Sequence, residues 1–206
     1  MTHEANPFAT RFTRPGRLAA VDVDGRPIDL DAVLERLDRI GGRGAILGPH
    51  GSGKSTLLAH LREATTARGR TVRDVRLRSW RDAPAAVAAV TRVPRGGLVC
   101  LDGWECLGPV AHWVIRTWAW LRGSRLVVTC HRVTWLPVLV RCRPSPAVLE
   151  ALVRQLPGSA EWLGDSLTTA DIRAAFDRHG GDLREALFDL YDRMEERRRP
   201  TADGRT

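Results

Sequence analysis

Lysine is nearly absent from this sequence. Of its 32 lysine and arginine residues, only Lys54 is a lysine, and it lies in the stretch ILGPHGSGKST at residues 46–56. Every other Lys or Arg position is an arginine, so the single lysine marks a position whose function arginine cannot replace. The chemistry of residues 46–56 therefore carries most of what the sequence says about function.

Cysteine is also sparse. The four cysteines form no Cys-x-x-Cys pair, and no paired histidines stand at zinc spacing, so a zinc site is not expected. Two of them lie in or at the end of apolar runs that are typical of buried strands. We expect reduced, mostly buried thiols, at Cys100, Cys106, Cys130 and Cys142.

Long apolar runs are missing as well. The best candidate, VAHWVIRTWAWL at residues 110–121, is interrupted by His112 and Arg116 and is shorter than the roughly 18 residues of a membrane span. The first residues, MTHEANPFATRF, contain no apolar segment of the kind found in a secretory signal. These absences predict a soluble, cytoplasmic protein without a membrane partner.

The composition and the net charge limit which classes of protein and of partner remain. With 206 residues, 43% hydrophobic and 27% charged, the chain fits one ordinary globular domain with a small appendage. Its net charge of +8 is compatible with a nucleic-acid partner. The arginines are spread along the whole chain, however, and many alternate with acids. A polyanion site and a solvated arginine-rich surface both remain open.

Short apolar runs alternate with helical patterns over the first two thirds of the chain. This alternation predicts an α/β fold, a doubly wound parallel sheet covered on both faces. The predicted strands are residues 44–48, 71–79, 97–103, 125–131 and 136–142, and the predicted helices are 29–42, 54–67, 82–93 and 105–123.

The pattern changes after Pro144, where only helices are predicted, at residues 145–156, 168–181 and 182–198. A small helical lid following an α/β core is the simplest interpretation. We expect an irregular segment at 1–29, a P-loop core at 30–144, a lid at 145–198 and a disordered tail at 199–206.

Residues 48–55 fit the phosphate-binding pattern Gly-x-x-x-x-Gly-Lys-Ser, with a strand before it and a helix after it. Glycines allow the backbone to form a nest whose N–H groups converge on phosphates. Lys54 is predicted to reach the β- and γ-phosphates of ATP, and the Ser55 hydroxyl to ligate Mg²⁺. The predicted nucleotide-binding loop comprises Gly48, Pro49, His50, Gly51, Ser52, Gly53, Lys54, Ser55 and Thr56.

The same loop explains the single lysine. Arginine ends in a broad planar fork, whereas lysine delivers a compact charge on a thin stem into a loop that already surrounds the phosphate.

Asp102 ends the apolar run LVCLD, 48 residues after Lys54, and is predicted to hold the magnesium shell. Many ATPases place a glutamate directly after this aspartate, but here that position is Gly103. The next acid is Glu105. It either polarises the attacking water or caps the helix predicted to begin there, because an acid suits a helix N-terminus.

Three segments, GPHGSGKSTLL, LVCLDGWECL and LVVTCHR, together resemble the STAND and NACHT branch of the AAA+ ATPases. The segment GGDLREAL resembles the AAA+ lid motif, and the resemblance spans residues 43–190. It implies that Thr129, or alternatively His131, senses the γ-phosphate. It also implies that Arg184 is a second sensor; pairing of Arg184 with Asp182 or Glu185 is the alternative. The long effector regions usual in that branch are absent from this sequence.

Taken together, the motifs predict a Mg-ATP-dependent ATPase that drives a conformational or assembly switch, with a homo-oligomer or another protein as its partner. A kinase of a small molecule or polynucleotide shares the same phosphate loop, and an ATP-binding module with negligible hydrolysis is the third possibility. GTP is not expected, because its Asn-Lys-x-Asp motif needs a second lysine.

The helix predicted at 105–123 is rich in tryptophan. Helical periodicity predicts a core stripe and a second stripe about 100° away containing Trp113 and Trp120, which packs against either the lid or a partner. The predicted core stripe comprises Leu107, Val110, Val114, Trp118 and Leu121.

Overall fold

Five short runs of the sequence form one parallel sheet in the computed structural model, which describes Phe8 and residues 16–198. The sheet has the strand order β2-β3-β4-β1-β5, and every neighbouring pair is parallel. The predicted α/β fold is therefore confirmed. The strands are β1 (Arg43–Leu47), β2 (Val72–Arg76), β3 (Leu98–Asp102), β4 (Arg125–Cys130) and β5 (Val138–Arg141).

The three central strands are almost entirely apolar because both of their faces are buried. Their register brings their carboxyl ends together: Asp102 of β3 lies opposite Thr129 of β4, and Leu47 of β1 lies opposite Cys130 of β4. In open parallel sheets, the loops at this edge are where ligands bind. The fold thus gathers the residues that follow β1, β3 and β4.

Helices cover both faces of the sheet. Every second residue of the central strands, such as Leu101 and Val128, packs in one core cluster with the helices at residues 83–92 and 109–122. The strand residues between them face the helices at residues 30–39 and 54–67 on the other side of the sheet. A short 3₁₀ turn, Trp80–Asp82, precedes the third helix. The four helices are α1 (Leu30–Arg39), α2 (Lys54–Ala67), α3 (Ala83–Arg92) and α4 (Pro109–Arg122).

The structure corrects the prediction for residues 105–123. Residues 104–106 form a 3₁₀ turn, and α4 begins only at Pro109, a residue suited to the first turn of a helix. The buried positions of α4 are Ile115 and Ala119, whose small or slender side chains let the helix approach the sheet. The predicted core stripe was wrong: Leu107 is buried ahead of the helix and Val114 is half-buried, but Val110, Trp118 and Leu121 are exposed. Trp113 and Trp120, the second predicted stripe, are exposed as well.

The described residues fall into two compact units. Residues 28–50 and 54–142 form the unit that contains the sheet. The other unit comprises the described residues up to Pro27, residues 51–53, and everything described from Arg143 onward. The predicted tail at 199–206, and residues 1–7 and 9–15 of the predicted N-terminal segment, lie outside the described residues.

The second unit has its own apolar cluster, which includes Leu149, Ile172 and Leu190. The segment before Pro27 is tied to these helices, since the Ser145 hydroxyl donates a hydrogen bond to the Val23 carbonyl oxygen at 2.6 Å. Its helices are α5 (Pro146–Arg154), α6 (Ser159–Trp162), α7 (Thr169–Arg178) and α8 (Leu183–Arg198). None of the helices between residues 16 and 198 combines the length and the apolarity needed to cross a membrane.

Candidate nucleotide-binding site

The phosphate loop connects β1 to α2, and its backbone depends on glycine. Gly53 has a φ of 85°, in the left-handed region, and a Cβ built there would meet nothing within 4 Å. Glycine is needed at this position for the backbone conformation and not for space. Such a turn directs successive backbone N–H groups towards an anion, and α2 begins at the very next residue, Lys54.

Lys54 lies folded back over this loop. Its Nζ donates a hydrogen bond to the Pro49 carbonyl oxygen at 2.5 Å and lies 3.3 Å from Nδ1 of His131. The residue is only 7% exposed, and this burial is the main cause that lowers the pKa of Lys54 below its usual value. The Glu105 and Asp102 carboxylates raise the pKa of Lys54 but do not offset its burial, so a negatively charged ligand would further stabilise the ammonium.

Ser55 and Asp102, the two predicted magnesium ligands, are brought together. The Ser55 hydroxyl donates to the Asp102 carboxylate, with Oγ–Oδ distances of 3.0 and 3.2 Å. A hydroxyl and a carboxylate side by side are oxygen donors that suit Mg²⁺, which usually takes one or two protein ligands and completes its shell with phosphates and water. No cluster of three or more His, Cys, Asp or Glu side chains that could hold a metal occurs within the described part of the chain.

Thr129 lies beneath Asp102 and fixes it. Its hydroxyl donates to Oδ1 of Asp102 at 2.5 Å and accepts the backbone N–H of Gly103 at 3.0 Å. Thr129 is 2% exposed. Its contacts are thus with the acidic end of the neighbouring strand, and the threonine holds one carboxylate oxygen in place.

Glu105 and His131 form a pair at the ends of β3 and β4. Nε2 of His131 lies 2.9 Å from Oε1 of Glu105, and the ring of His50 lies against that of His131, with centroids 3.7 Å apart. Glu105 does not cap α4, which begins four residues later. It lies instead in the first turn of the 3₁₀ segment at 104–106.

The protonation of His131 follows from its neighbours. Nδ1 lies 3.2 Å from the Gly48 carbonyl oxygen and 3.3 Å from the Lys54 ammonium. Burial, followed by the charge of Lys54, lowers the pKa of His131 below its usual value. In the neutral ring with the proton on Nε2, Nε2–H donates to Glu105 and Nδ1 accepts from Lys54, while the Gly48 carbonyl oxygen receives no hydrogen bond from the ring. His131 therefore connects the lysine of the loop to the acid beyond β3.

We expect the His131 ring to titrate below 6.5 and to be neutral at pH 7. Because the unfolded chain then binds the proton more readily, stability should fall as pH drops below about 6.5. An NMR titration of the histidine rings measures the pKa directly. In Lys54→Ala the His131 pKa should rise, since a nearby positive charge is gone. A wild-type value above 6.5 would mean that the Glu105 carboxylate outweighs burial and Lys54.

The remaining predicted residues are less informative. Arg184 is exposed at the start of α8 in the helical unit, and it makes no ion pair with Asp182 or Glu185, all three being described residues; the Asp182 carboxylate accepts backbone N–H groups instead. Thr56 is the third residue of α2, and Ser52 is buried in the loop. All four cysteines are free thiols, and burial raises the pKa of Cys130 and Cys142 to about 11.

The Glu105–His131 pair is the feature that sequence reasoning missed. Both residues were noted separately, Glu105 as a catalytic candidate and His131 as an alternative sensor. Each follows a strand of the predicted parallel core by one to three residues. The adjacency of β3 and β4 was the missing information, and it comes from the sheet order.

Comparisons with known proteins identify the fold of this chain. No protein-family model matches the sequence, and no curated protein matches it. Among solved structures, the RuvB Holliday junction branch migration motor of Thermotoga maritima is 16% identical, with a TM-score of 0.58 over 81% of this chain. A DNA replication initiation factor is 16% identical, with a TM-score of 0.57 over 82%, and the replication initiator DnaA bound to AMPPCP and single-stranded DNA is 15% identical, with a TM-score of 0.56 over 80%.

The chain has the fold of an AAA+ P-loop ATPase. It spans 59% to 63% of the length of these three AAA+ structures. The predicted resemblance to AAA+ proteins is confirmed at the level of the fold.

Proposed function

We propose that this protein is a Mg-ATP-dependent ATPase whose nucleotide cycle drives a conformational or assembly switch. The observation that carries the proposal is the grouping of Lys54, Ser55 and Asp102 with the Glu105–His131 pair at the ends of three adjacent strands. An anion-binding loop, two oxygen donors for magnesium and an oriented acid are the parts that phosphoryl transfer to water needs.

Lys54 and the backbone of the loop bind the phosphates. On binding, Lys54 exchanges the carbonyl oxygen of Pro49 for phosphate oxygens, and its lowered pKa returns towards the usual value. Ser55 and Asp102 would hold Mg²⁺, which would neutralise charge on the phosphates, and Thr129 keeps Asp102 oriented by its 2.5 Å hydrogen bond. The sensing of the γ-phosphate by Thr129, which the resemblance implies, stays a prediction beside this positioning role.

Glu105 acts on the attacking water. Its carboxylate accepts a proton as the water oxygen bonds to the γ-phosphorus and the bond from that phosphorus to the bridging oxygen breaks. Neutral His131 donates Nε2–H to Glu105, which holds the carboxylate in place. Because His131 also touches Lys54, a phosphate that draws Lys54 away changes the hydrogen bonding of the same histidine. Arg184 is proposed as a sensor of the γ-phosphate, carried on the helical unit.

The net charge of the chain and its structural neighbours suggest which partners it binds. The structural neighbours include proteins described as a branch migration motor and as a replication initiator bound to single-stranded DNA. With a net charge of +8, this chain suits a polyanion, and we propose DNA and a second copy of the chain as the first partners to test.

The deciding experiment replaces Glu105 by glutamine, which removes the base without changing its size. Phosphate release from Mg-ATP should fall by about 100-fold, the usual contribution of a general base, while binding of a fluorescent ATP derivative stays within about twofold. Glu35→Gln, on the exposed side of α1, is the matched control and should retain full turnover.

Several outcomes would redirect the proposal. Unchanged turnover in Glu105→Gln would remove Glu105 from the reaction. A wild-type protein that binds ATP and releases no phosphate, alone or with single-stranded or duplex DNA, would leave a nucleotide-holding switch. Transfer of the labelled γ-phosphate to an added acceptor, rather than to water, would identify a kinase.

A further inference from the structure

An apolar groove of about 710 Å³ lies between α3 and α4, entirely within residues 28–142. It is lined from α3 by Pro84 and Val87, from α4 by Val110 and Val114, and from the preceding 3₁₀ turn by Trp80. Trp80 and Val110 are well exposed although they are large and apolar. This groove is at a different place from the phosphate loop and is not used in the proposed reaction.

The outer face of α4 extends the groove into an apolar surface. Trp113 and Trp120, seven residues apart and therefore on one side of the helix, are 65% and 64% exposed. Trp118 and Leu121 are also exposed, one and two turns beyond the groove-lining Val114 on the same side of α4. Contiguous exposed apolar patches of this kind mark interaction sites, and tryptophan is enriched among the residues that dominate binding energy.

The two helices and the turn before α3 carry four arginines against one acid, Asp82, so the charge of this surface is mainly positive. The sequences of α3 and α4 contain no aspartate or glutamate, and their charged residues are Arg92, Arg116 and Arg122. Arg81 adds a fourth positive charge, with its guanidinium 5.7 Å from the centre of the Trp80 ring. The nearby Asp82 carboxylate is engaged in its own turn, where it accepts the backbone N–H groups of residues 78 and 79.

We propose that the groove between α3 and α4 binds an acidic amphipathic helix of a partner protein. The apolar face of such a helix fills the groove with side chains spaced at i, i+3 or i+4, and i+7. Its acidic side faces Arg81, which lies against the lining residue Trp80, and Arg92, which follows the lining residue Thr91. The positive charge favours this occupant over a second copy of the chain, because pairing two identical surfaces would bring the arginines of both copies together. The concave form of the groove favours a helix over a flat bilayer.

The test uses a synthetic helical peptide of about 18 residues, five turns, with leucines on one face and glutamates on the other. A second peptide carries lysine in place of every glutamate. Binding is measured by fluorescence anisotropy, with peptide labelled at its end. We expect the acidic peptide to bind at least about tenfold more tightly than the basic one, and its affinity to fall with added salt.

A pair of variants locates the binding. Val110→Glu places a negative charge in the groove and should weaken the acidic peptide by about tenfold or more. Val133→Glu is the matched control, since Val133 is 73% exposed against 75% for Val110 and does not line the groove. It should leave the affinity within about twofold. Both variants should show wild-type unfolding curves.

Other results overturn the proposal. Equal affinity of the protein for the two peptides would mean non-specific hydrophobic contact, and so would equal effects of the two variants on that affinity. Failure of the acidic peptide to bind would reject the site. Binding to vesicles of phosphatidylglycerol and phosphatidylcholine that is lost in Val110→Glu, without peptide binding, would assign the surface to membranes. A concentration-dependent dimer lost in Val110→Glu would assign it to a second copy.

Discussion

Replacing Lys54 by alanine is expected to reduce phosphate release from Mg-ATP by about 100-fold or more, the loss seen when one charged group is removed from a preorganised site. Replacement by arginine should be nearly as harmful. Lys54 fits into the loop with its Nζ 2.5 Å from the Pro49 carbonyl oxygen, and a planar guanidinium does not occupy that space. Lys54→Arg tests why this position is a lysine when the other 31 Lys or Arg positions are all arginine.

The measurement compares Lys54→Ala and Lys54→Arg with Arg39→Lys, an arginine-to-lysine exchange on the exposed end of α1 that should leave turnover unchanged. Misfolding is separable from loss of chemistry. Burial lowers the pKa of Lys54, and the side chain also packs in the loop, so urea unfolding of both variants is measured beside turnover to identify any loss of folded protein. If Lys54→Arg kept turnover within about threefold, the argument from side-chain shape would be wrong.

The parts of the site that could be predicted from sequence are local. The phosphate loop depends on glycines, a lysine and a serine within eight residues, and Asp102 is marked by the apolar strand that it ends. The Glu105–His131 pair depends on which strands are neighbours, and the register of β3 against β4 that sets Asp102 opposite Thr129 is tertiary information. Helical periodicity cannot supply it.

The error in α4 has a physical cause. Periodicity identifies apolar positions, and in α4 these occur almost all around the helix. Side-chain size then decides which face approaches the sheet: Ala119 and Ile115 pack closely, while Trp113 and Trp120 are too bulky for that contact and remain outside. A helix that is apolar all around and lies at the surface is the sequence signal of the surface that we propose as a docking site.

Gly103 explains why the adjacent acid of many ATPases is missing here. It has a φ of 96°, and a Cβ at this position would lie 2.6 Å from the Leu77 carbonyl oxygen. Leu77 cannot easily move away, because its N–H donates to the Asp102 carbonyl oxygen at 2.7 Å. Glutamate is therefore excluded next to Asp102 by the backbone. Glu105, two residues later and paired with His131, stands where an acid is sterically allowed.

Introducing the common motif should consequently harm the protein. We expect Gly103→Glu to lower the free energy of unfolding by about 3 kcal/mol, about 1–2 from the left-handed backbone and the rest from the clash with Leu77, as measured by urea unfolding. Turnover should fall as well, since the Gly103 N–H donates to the Thr129 hydroxyl that orients Asp102.

The matched control is Gly69→Glu. Gly69 also has a positive φ, 69°, but a Cβ there meets nothing within 4 Å, so this variant measures the backbone cost alone, about 1 kcal/mol. The difference between the two variants isolates the contact with Leu77. Equal losses in the free energy of unfolding would show that Leu77 moves aside without cost. A Gly103→Glu protein with raised turnover would show that the missing acid, and not the fold around Asp102, sets the rate of hydrolysis.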